Sequence, residues 1–377
     1  MININDLSYW EKTSYFEGID FLIIGAGIVG YSTAIHLRKK YPNSKILVIE
    51  RGYLPSGASS KNAGFACFGS ATELLDDLSQ YDESTVWETV QKRWEGLSYL
   101  RELVGDSSLD LQLNGSWDII KKGDEAIAGQ VYDQMDYLNQ KILEITGEKN
   151  VFSEDNLLYE KFGISGTFTS FNNRLEGQIN TGKMNLAYLD LVHRSSIQVI
   201  NGIDVSAIQE APNEVCLKTN IGEIKAANVL VCTNGFAARL IEEDVKPARA
   251  QVILTSMIPD LKLKGTFHFD RGYYYFRNID GRILLGGGRN LDFEGETTTA
   301  MNTTEQIINA LKQLLNDMII PGKQYTIEHE WAGIMGVGNT KKPIVRKYSS
   351  RIGIGLRMGG MGVAIGTQVG KDLSSLF

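Results

Sequence analysis

The stretch FLIIGAGIVG, residues 21–30, runs from four apolar residues into three glycines, Gly25, Gly27 and Gly30. Residues 21–24 read as a buried strand. Residues 28–40 read as the helix after it, with Ile28, Ala34, Ile35 and Leu37 turned inward and Arg38, Lys39 and Lys40 in the last turn. KILVIE, residues 45–50, is a second apolar strand that ends in Glu50. Two parallel strands need such a crossover, so the stretch predicts a β-α-β unit. In that unit Gly25 permits the tight turn, Gly27 lets backbone N–H groups approach a pyrophosphate, and Gly30 lets the helix lie close on the strand. Glu50 stands where a carboxylate bonds ribose hydroxyls. A dinucleotide is the expected ligand, with NAD and FAD both open because they share the adenosine diphosphate half.

The totals narrow the function classes. With 377 residues, two domains, interleaved or consecutive, are expected. Hydrophobic content of 43% and 22% charged residues are those of an ordinary folded chain, and 39 glycines against 7 prolines point to tight turns rather than disorder. A net charge of -7 without a clustered basic footprint argues against nucleic acid or an anionic membrane as partner. Cys67, Cys216 and Cys232 are odd in number and widely spaced, which suggests reduced thiols rather than a disulfide framework. The four histidines, His36, His193, His268 and His329, show no metal spacing, so no metal is expected. The N-terminal residues 1–18 lack the basic and apolar segments of a signal peptide. The apolar region 21–37 is too interrupted to span a membrane, and cytoplasmic residence is the expectation.

Beyond the first unit, residues 51–70 are turn-rich and small, as expected of a loop whose backbone approaches a ligand. A helix is predicted over 85–104, with Thr85 and Glu88 as a capping box and Gly105 closing it. LQLNGSWDII, residues 111–120, predicts a hairpin turned at Asn114-Gly115, and 124–146 an amphipathic helix. Strand-like runs return within 197–235, so the first domain should be completed discontinuously. RGYYYFRNIDGRILLGGG, residues 271–288, predicts a hairpin turned near Asp280-Gly281, and a helix follows at about 303–318. A strand and a terminal helix close the chain.

What separates NAD from FAD lies downstream. Regular α/β units with a hydride-site residue would suit NAD, whereas PSGASSKNAGF offers Ser59 and Ser60 to phosphate and glycines that leave room for a bulky ring. Here the chain resembles the flavin-dependent amine and amino-acid oxidoreductases related to D-amino acid oxidase, glycine oxidase and sarcosine oxidase. Within that family it is most similar to the branch of gamma-glutamylputrescine oxidoreductase. The resemblance is carried by SYW (8–10), IIGAGIVG (23–30), Glu50-Arg51, GASSKNAGF (57–65), VLVCTNGF (229–236), PARAQV (247–252), YYYFRNIDGRILLGGG (273–288) and RMGGMGVAIG (357–366). It implies noncovalent FAD lined by Ala26, Gly27, Ile28, Glu50, Arg51, Ser59, Ser60, Lys61, Asn62, Val205, Gly360, Met361, Gly362 and Val363, together with Gly25 and Gly30 of the glycine unit.

The implied fold is α/β. A discontinuous Rossmann-like FAD-binding domain (1–80, 150–245 and 325–377) is joined to an α+β substrate-binding domain (81–149 and 246–324) on a mainly antiparallel sheet. The implied reaction oxidises a C–N bond of an amine or amino acid by hydride transfer to flavin, giving an imine that water hydrolyses, with oxygen or another acceptor taking the electrons. Strand alternation puts Tyr273, Tyr275 and Arg277 on one face, where Tyr275 and Arg277 can clamp a carboxylate. Arg357 is the second carboxylate candidate, His329 a lesser catalytic one, and Cys67 a small buried residue rather than a link to the ring. Lys61 stands where relatives often have arginine and Met361 where they often have histidine, and QINTGKM (178–184) replaces a stretch that often carries proline. These departures lie near the substrate end, so the resemblance implies a class rather than one amine. An NAD-dependent dehydrogenase, which shares only the glycine unit and Glu50, and a non-catalytic FAD-binding redox protein are the alternatives.

Overall fold

The computed structural model describes residues 3–377; residues 1 and 2 of the N-terminal segment 1–18 lie outside the described residues. The first unit forms as expected, with strand Ile19–Ile24, helix Ile28–Lys40 and strand Ile46–Glu50. Ile19–Ile24 pairs in parallel with Ile46–Glu50 on one side and Gly222–Val231 on the other. Gln198–Asn201 and Ile352–Leu356 extend the parallel sheet outward. A parallel sheet must be covered on both faces, which is why the central runs Phe21–Ile24, Ile46–Ile49 and Val229–Val231 are apolar and buried. Phe21 and Ile23 pack toward the helices Ile28–Lys40 and Gly362–Ser375. Leu22 and Ile24 pack toward Val205, Val215, Leu217 and Ile224 of an antiparallel ribbon on the opposite face.

The helix Ile28–Lys40 is buried along nearly its whole length because two further helices lie close to it. Gly370 permits one approach, since a Cβ there would collide with Ser32 and the Val29 carbonyl. Even His36 is taken into this packing, hydrogen-bonded to the Ser32 carbonyl and to the Tyr99 hydroxyl, both at 2.6 Å. Among the described residues no helix is long and apolar enough to cross a membrane.

A second eight-stranded sheet is mostly antiparallel, with one parallel pair between Thr266–Phe269 and Ser116–Lys121. The helix Glu305–Leu314 lays Ile307, Ile308 and Leu311 into one cluster with Phe267, Phe276 and Ile283 of this sheet. Phe267 and Phe276 stack face to face with centroids 4.8 Å apart. Phe152–Glu154, Thr167–Asn173 and Ile327–Val337, which fall in segments expected in the FAD domain, hydrogen-bond into this second sheet.

Three local expectations are corrected. No hairpin forms at 111–120: Gly115, at φ +88°, instead leads into Ser116–Lys121, and its N–H donates to the Glu176 carbonyl. The helix expected over 85–104 is Glu83–Val104, preceded by Asp82, so Thr85 lies inside it and its carbonyl accepts from the Thr89 hydroxyl. Residues 51–70 are not wholly irregular, because Ala58–Lys61 makes a helical turn and Phe65–Ala66 pairs with Gly177–Gln178. The predicted hairpin at Asp280-Gly281 does form, with both turn residues at positive φ.

Asp118 sits buried in the second sheet, where its Oδ2 accepts the Thr72 N–H at 2.8 Å and its Oδ1 has no partner among the described residues. Burial raises its pKa to about 6 against an ordinary 3.8. The stability this carboxyl contributes is therefore fully present below pH 3.8 and is lost as pH rises through about 6. Asp118→Asn keeps the acceptor for Thr72 and removes the titration. Its stability relative to the parent should rise by about 2 kcal/mol between pH 4 and 7, read from urea midpoints at each pH. A constant difference across that range would refute the assignment.

Candidate active site

The glycine unit opens onto a groove of about 610 Å³ that runs between the two sheets. Gly25, at φ +107°, turns the chain, and Gly30 packs against it so closely that a Cβ would strike the Gly25 carbonyl. The helix then presents its first N–H groups to the groove, with the Ile28 N–H held by the Ser59 hydroxyl at 3.0 Å. Glu50 is fixed at the mouth of its strand by the N–H groups of Ala26 (3.1 Å) and Gly52 (3.0 Å). Arg51 lies over the Phe236 ring at 4.4 Å.

Gly25, Ala26, Gly27, Ile28, Glu50, Arg51, Ser59, Lys61, Asn62 and Val205 all line this groove. Gly30 does not, consistent with its packing task. Ser60 does not either, which corrects its assignment: on the turn Ala58–Lys61 adjacent residues diverge by about 100°, so Ser60 is exposed and donates to the Gly57 carbonyl. Asn62 uses its side chain to tie the loop, donating to the Ala58 and Ser59 carbonyls and accepting from Gly64.

At the C-terminal side, Arg357, Gly359 and Gly360 at positive φ reverse the chain after strand Ile352–Leu356. Asn234 Oδ1 braces the reversal by accepting from the N–H groups of Arg357 and Met358. Gly360, Met361, Gly362 and Val363 then line the groove where helix Gly362–Ser375 begins. A 14-residue helix start carries about half a positive charge. Two helix N-termini, one acid at the ribose position and glycines where side chains would intrude make a cradle that fits a phosphate-bridged dinucleotide.

The far end of the groove is built by the second sheet. Tyr275 lines it beside Phe65 (centroids 5.5 Å apart), while Phe276 points into the opposite core, as alternation requires. Burial pushes the Tyr275 hydroxyl up to about 12. Arg277, on the same face, does not reach the groove, which corrects its assignment. It is buried and donates to the carbonyls of Ile179 (2.9 Å) and Gly64 (3.2 Å). Arg357 is corrected as well: it is spent on the Asp244 carboxylate and on the Lys342 carbonyl. His329 lies exposed on its strand and away from the groove.

Arg289, just beyond the hairpin, does line the groove, as Arg51, Arg239 and Arg271 do. It follows the hairpin after Gly288, which turns at φ +78°, and its guanidinium lies 5.0 Å from the Phe293 ring. It is half-buried with Nε unpartnered among the described residues, and burial lowers its pKa. Its place at the end of the run GGGR sets it beyond the hairpin, but that signal does not separate it from Arg277 and Arg357. His268 was missed too. It lines the groove against Phe65 at 5.0 Å, and burial lowers its pKa to about 4 although Glu73 opposes this, so the imidazole is neutral near pH 7. At the rim Lys341 pairs with Glu73 (3.0 Å) and Asp77 (2.7 Å). Burial favours the neutral acid at Glu73, but Lys341 and Arg93 outweigh it and hold the carboxyl down at about 2.

Known proteins resemble this chain in sequence and fold. The family model described as FAD dependent oxidoreductase (DAO) matches residues 20–376. The bifunctional protein ThiO/ThiG of Trichormus variabilis is 22% identical over 335 residues, 86% of this chain and 47% of that protein, so the chain spans about half of that relative. Gamma-glutamylputrescine oxidoreductase of Escherichia coli is 22% identical over 282 residues, covering 71% of this chain and 64% of that protein. The glycine oxidase structure from Geobacillus kaustophilus superposes with a TM-score of 0.75 at 17% identity, over 95% of this chain and 94% of that one. With a family model spanning almost every residue and the dinucleotide cradle in place, the chain belongs to the DAO family of FAD-dependent oxidoreductases and is an enzyme whose cofactor is FAD.

Proposed function

We propose that the enzyme oxidises the C–N bond of a small amino acid, or of an N-substituted amino acid, whose carboxylate is held by Arg289. The observation that carries this is the division among three arginines: Arg277 and Arg357 lie off the groove with terminal nitrogens donated to fixed partners, whereas Arg289 lines the groove with no side-chain hydrogen bond to a described residue and an unpartnered Nε. A planar guanidinium suits a carboxylate because it can donate two parallel hydrogen bonds. Tyr273 and Tyr275 line the same end of the groove and offer hydroxyl donors to the same group.

FAD, when bound, supplies the acceptor for the hydride leaving the carbon beside the nitrogen. The residues that would hold it are Gly25 to Ile28, Glu50, Arg51, Ser59, Lys61, Asn62, Val205 and Gly360 to Val363. The protein's own part is then binding, orientation and exclusion of water. Phe65 and Tyr275 form an apolar wall, and neutral His268 beside them adds no charge that would repel an amine. Loss of the hydride and the N–H proton leaves an imine, which water hydrolyses to a carbonyl compound and the free amine or ammonia. The electrons pass on to oxygen or another acceptor. Noncovalent attachment is part of the proposal: Cys67 is buried off the groove, and Cys232 lines it beside Gly25, at the end assigned to adenosine.

The test is anaerobic mixing of the FAD-loaded protein with glycine, sarcosine, D- and L-amino acids and polyamine derivatives. Bleaching of the flavin absorbance by at least one carboxylate-bearing amine is expected. Failure of every compound to bleach it would favour a non-catalytic redox role.

A further inference from the structure

Behind the wall of the groove, three side chains from distant parts of the chain converge. The Cys67 thiol, one carboxylate oxygen of Glu176 and one ring nitrogen of His268 all lie within 4.8 Å of one another. Each is set on a rigid support. Cys67 follows the short strand Phe65–Ala66, Glu176 precedes its partner Gly177–Gln178, and His268 stands on strand Thr266–Phe269. Glu176 is fully buried, and its Oε1 is clamped by the N–H groups of Phe68 (2.6 Å) and Gly69 (2.9 Å). That clamp leaves Oε2 without a partner among the described residues, and the buried His268 Nε2 has none either. Cys67 makes only long contacts, 3.6 Å to the Thr266 hydroxyl and 3.8 Å to the Gly177 carbonyl. Buried polar atoms are normally paired, so two orphans beside a buried thiol need a partner.

We propose that Cys67, Glu176 and His268 form a zinc site with three protein ligands and a fourth position served from the groove. Thiolate, imidazole and carboxylate together are a donor set for Zn²⁺ rather than for Ca²⁺ or Mg²⁺, which take oxygen ligands. Zinc bonds of these three kinds place tetrahedral ligand atoms about 3.5 Å apart. The three atoms, all within 4.8 Å of one another, would close by up to about 1.3 Å on binding one ion. An entry path exists, because His268 is the member of the three that lines the groove. The two backbone N–H groups on Glu176 Oε1 serve as the outer shell that fixes the carboxylate.

The experiment is a titration of the FAD-loaded protein with Co²⁺ as an optical probe and with Zn²⁺ by calorimetry. One ion per chain is expected, with intense cobalt ligand-field bands to the red of the flavin absorption, as tetrahedral thiolate ligation produces. Cys67→Ser and His268→Gln should each weaken Zn²⁺ binding by about 100-fold or more, the upper end of what outer-shell changes alone cost. His193→Gln, at an exposed histidine, should leave binding unchanged. Retained FAD in each variant reports that the fold survives. Absence of the bands at saturating Co²⁺, or bands and Zn²⁺ affinity unaltered in His268→Gln, would overturn the assignment.

Discussion

Replacing Arg289 with leucine is expected to lower kcat/KM for an amino-acid substrate by about 30- to 1,000-fold, corresponding to about 2–4 kcal/mol, with the larger part of the change in KM. The reasoning rests on burial. Arg289 is half-buried and its Nε is unpaired, so the charge is already partly desolvated and awaits an anion. A substrate carboxylate entering the groove gains a charge-assisted bond and, without the arginine, is left desolvated and unpaired. Leucine keeps an apolar stem against Phe293 and so separates loss of charge from loss of packing. Arg289→Lys should recover only part of the affinity, because an ammonium cannot reproduce the fork. Steady-state kinetics of both variants check this. Equal losses for a carboxylate-bearing substrate and for its decarboxylated amine would show that Arg289 only supports the loop.

Glu296→Leu is expected to destabilise the fold by about 3–5 kcal/mol, because it leaves a buried guanidinium without its counter-charge. Arg249 and Glu296 are both buried and meet through two bonds, Nη2 to Oε1 at 2.6 Å and Nε to Oε2 at 3.0 Å. Gln251 donates to the same carboxylate at 2.9 Å, and Arg249 also donates to the Asn302 carbonyl at 3.1 Å. This network pins residues 288–304, the segment between the hairpin and helix Glu305–Leu314, onto strand Lys246–Thr255. Arg289 stands at the start of that segment, so Glu296→Leu should also raise KM. The double variant Arg249→Met with Glu296→Leu should regain most of the stability, since an apolar pair of similar volume needs no counter-charge. Urea unfolding at one fixed FAD concentration measures both, the cofactor being held constant because it stabilises the folded state. A single variant within about 1 kcal/mol of the parent would contradict the role of the pair.

The parts of the molecule that were legible in the sequence are those set by short-range spacing. FLIIGAGIVG and Glu50 specify strand, turn, helix and acid within thirty residues, and that unit stands at the predicted positions. Period-two alternation likewise placed Tyr275 and Phe276 on opposite faces of their strand. What could not be read was which of several arginines is free. Arg277, Arg289 and Arg357 all sit near glycine-rich turns, and they are told apart by carbonyls and a carboxylate contributed by residues 64, 179, 342 and 244. The same holds for Cys67, Glu176 and His268, whose approach depends on pairing of Phe65–Ala66 with Gly177–Gln178 and on a parallel pair in the second sheet. The register of strands over a hundred residues apart leaves no periodic trace in the chain. Ser60 failed for a local reason, a single helical turn that sends adjacent serines in different directions.

The most direct test compares flavin reduction by an amino acid with reduction by the amine that lacks its carboxylate, under anaerobic stopped-flow conditions, in the parent and in Arg289→Leu. Oxidation of a C–N bond with Arg289 as carboxylate anchor predicts that the parent is reduced much faster by the amino acid and that the variant loses this preference. Reduction that is indifferent to the carboxylate in both proteins would contradict it.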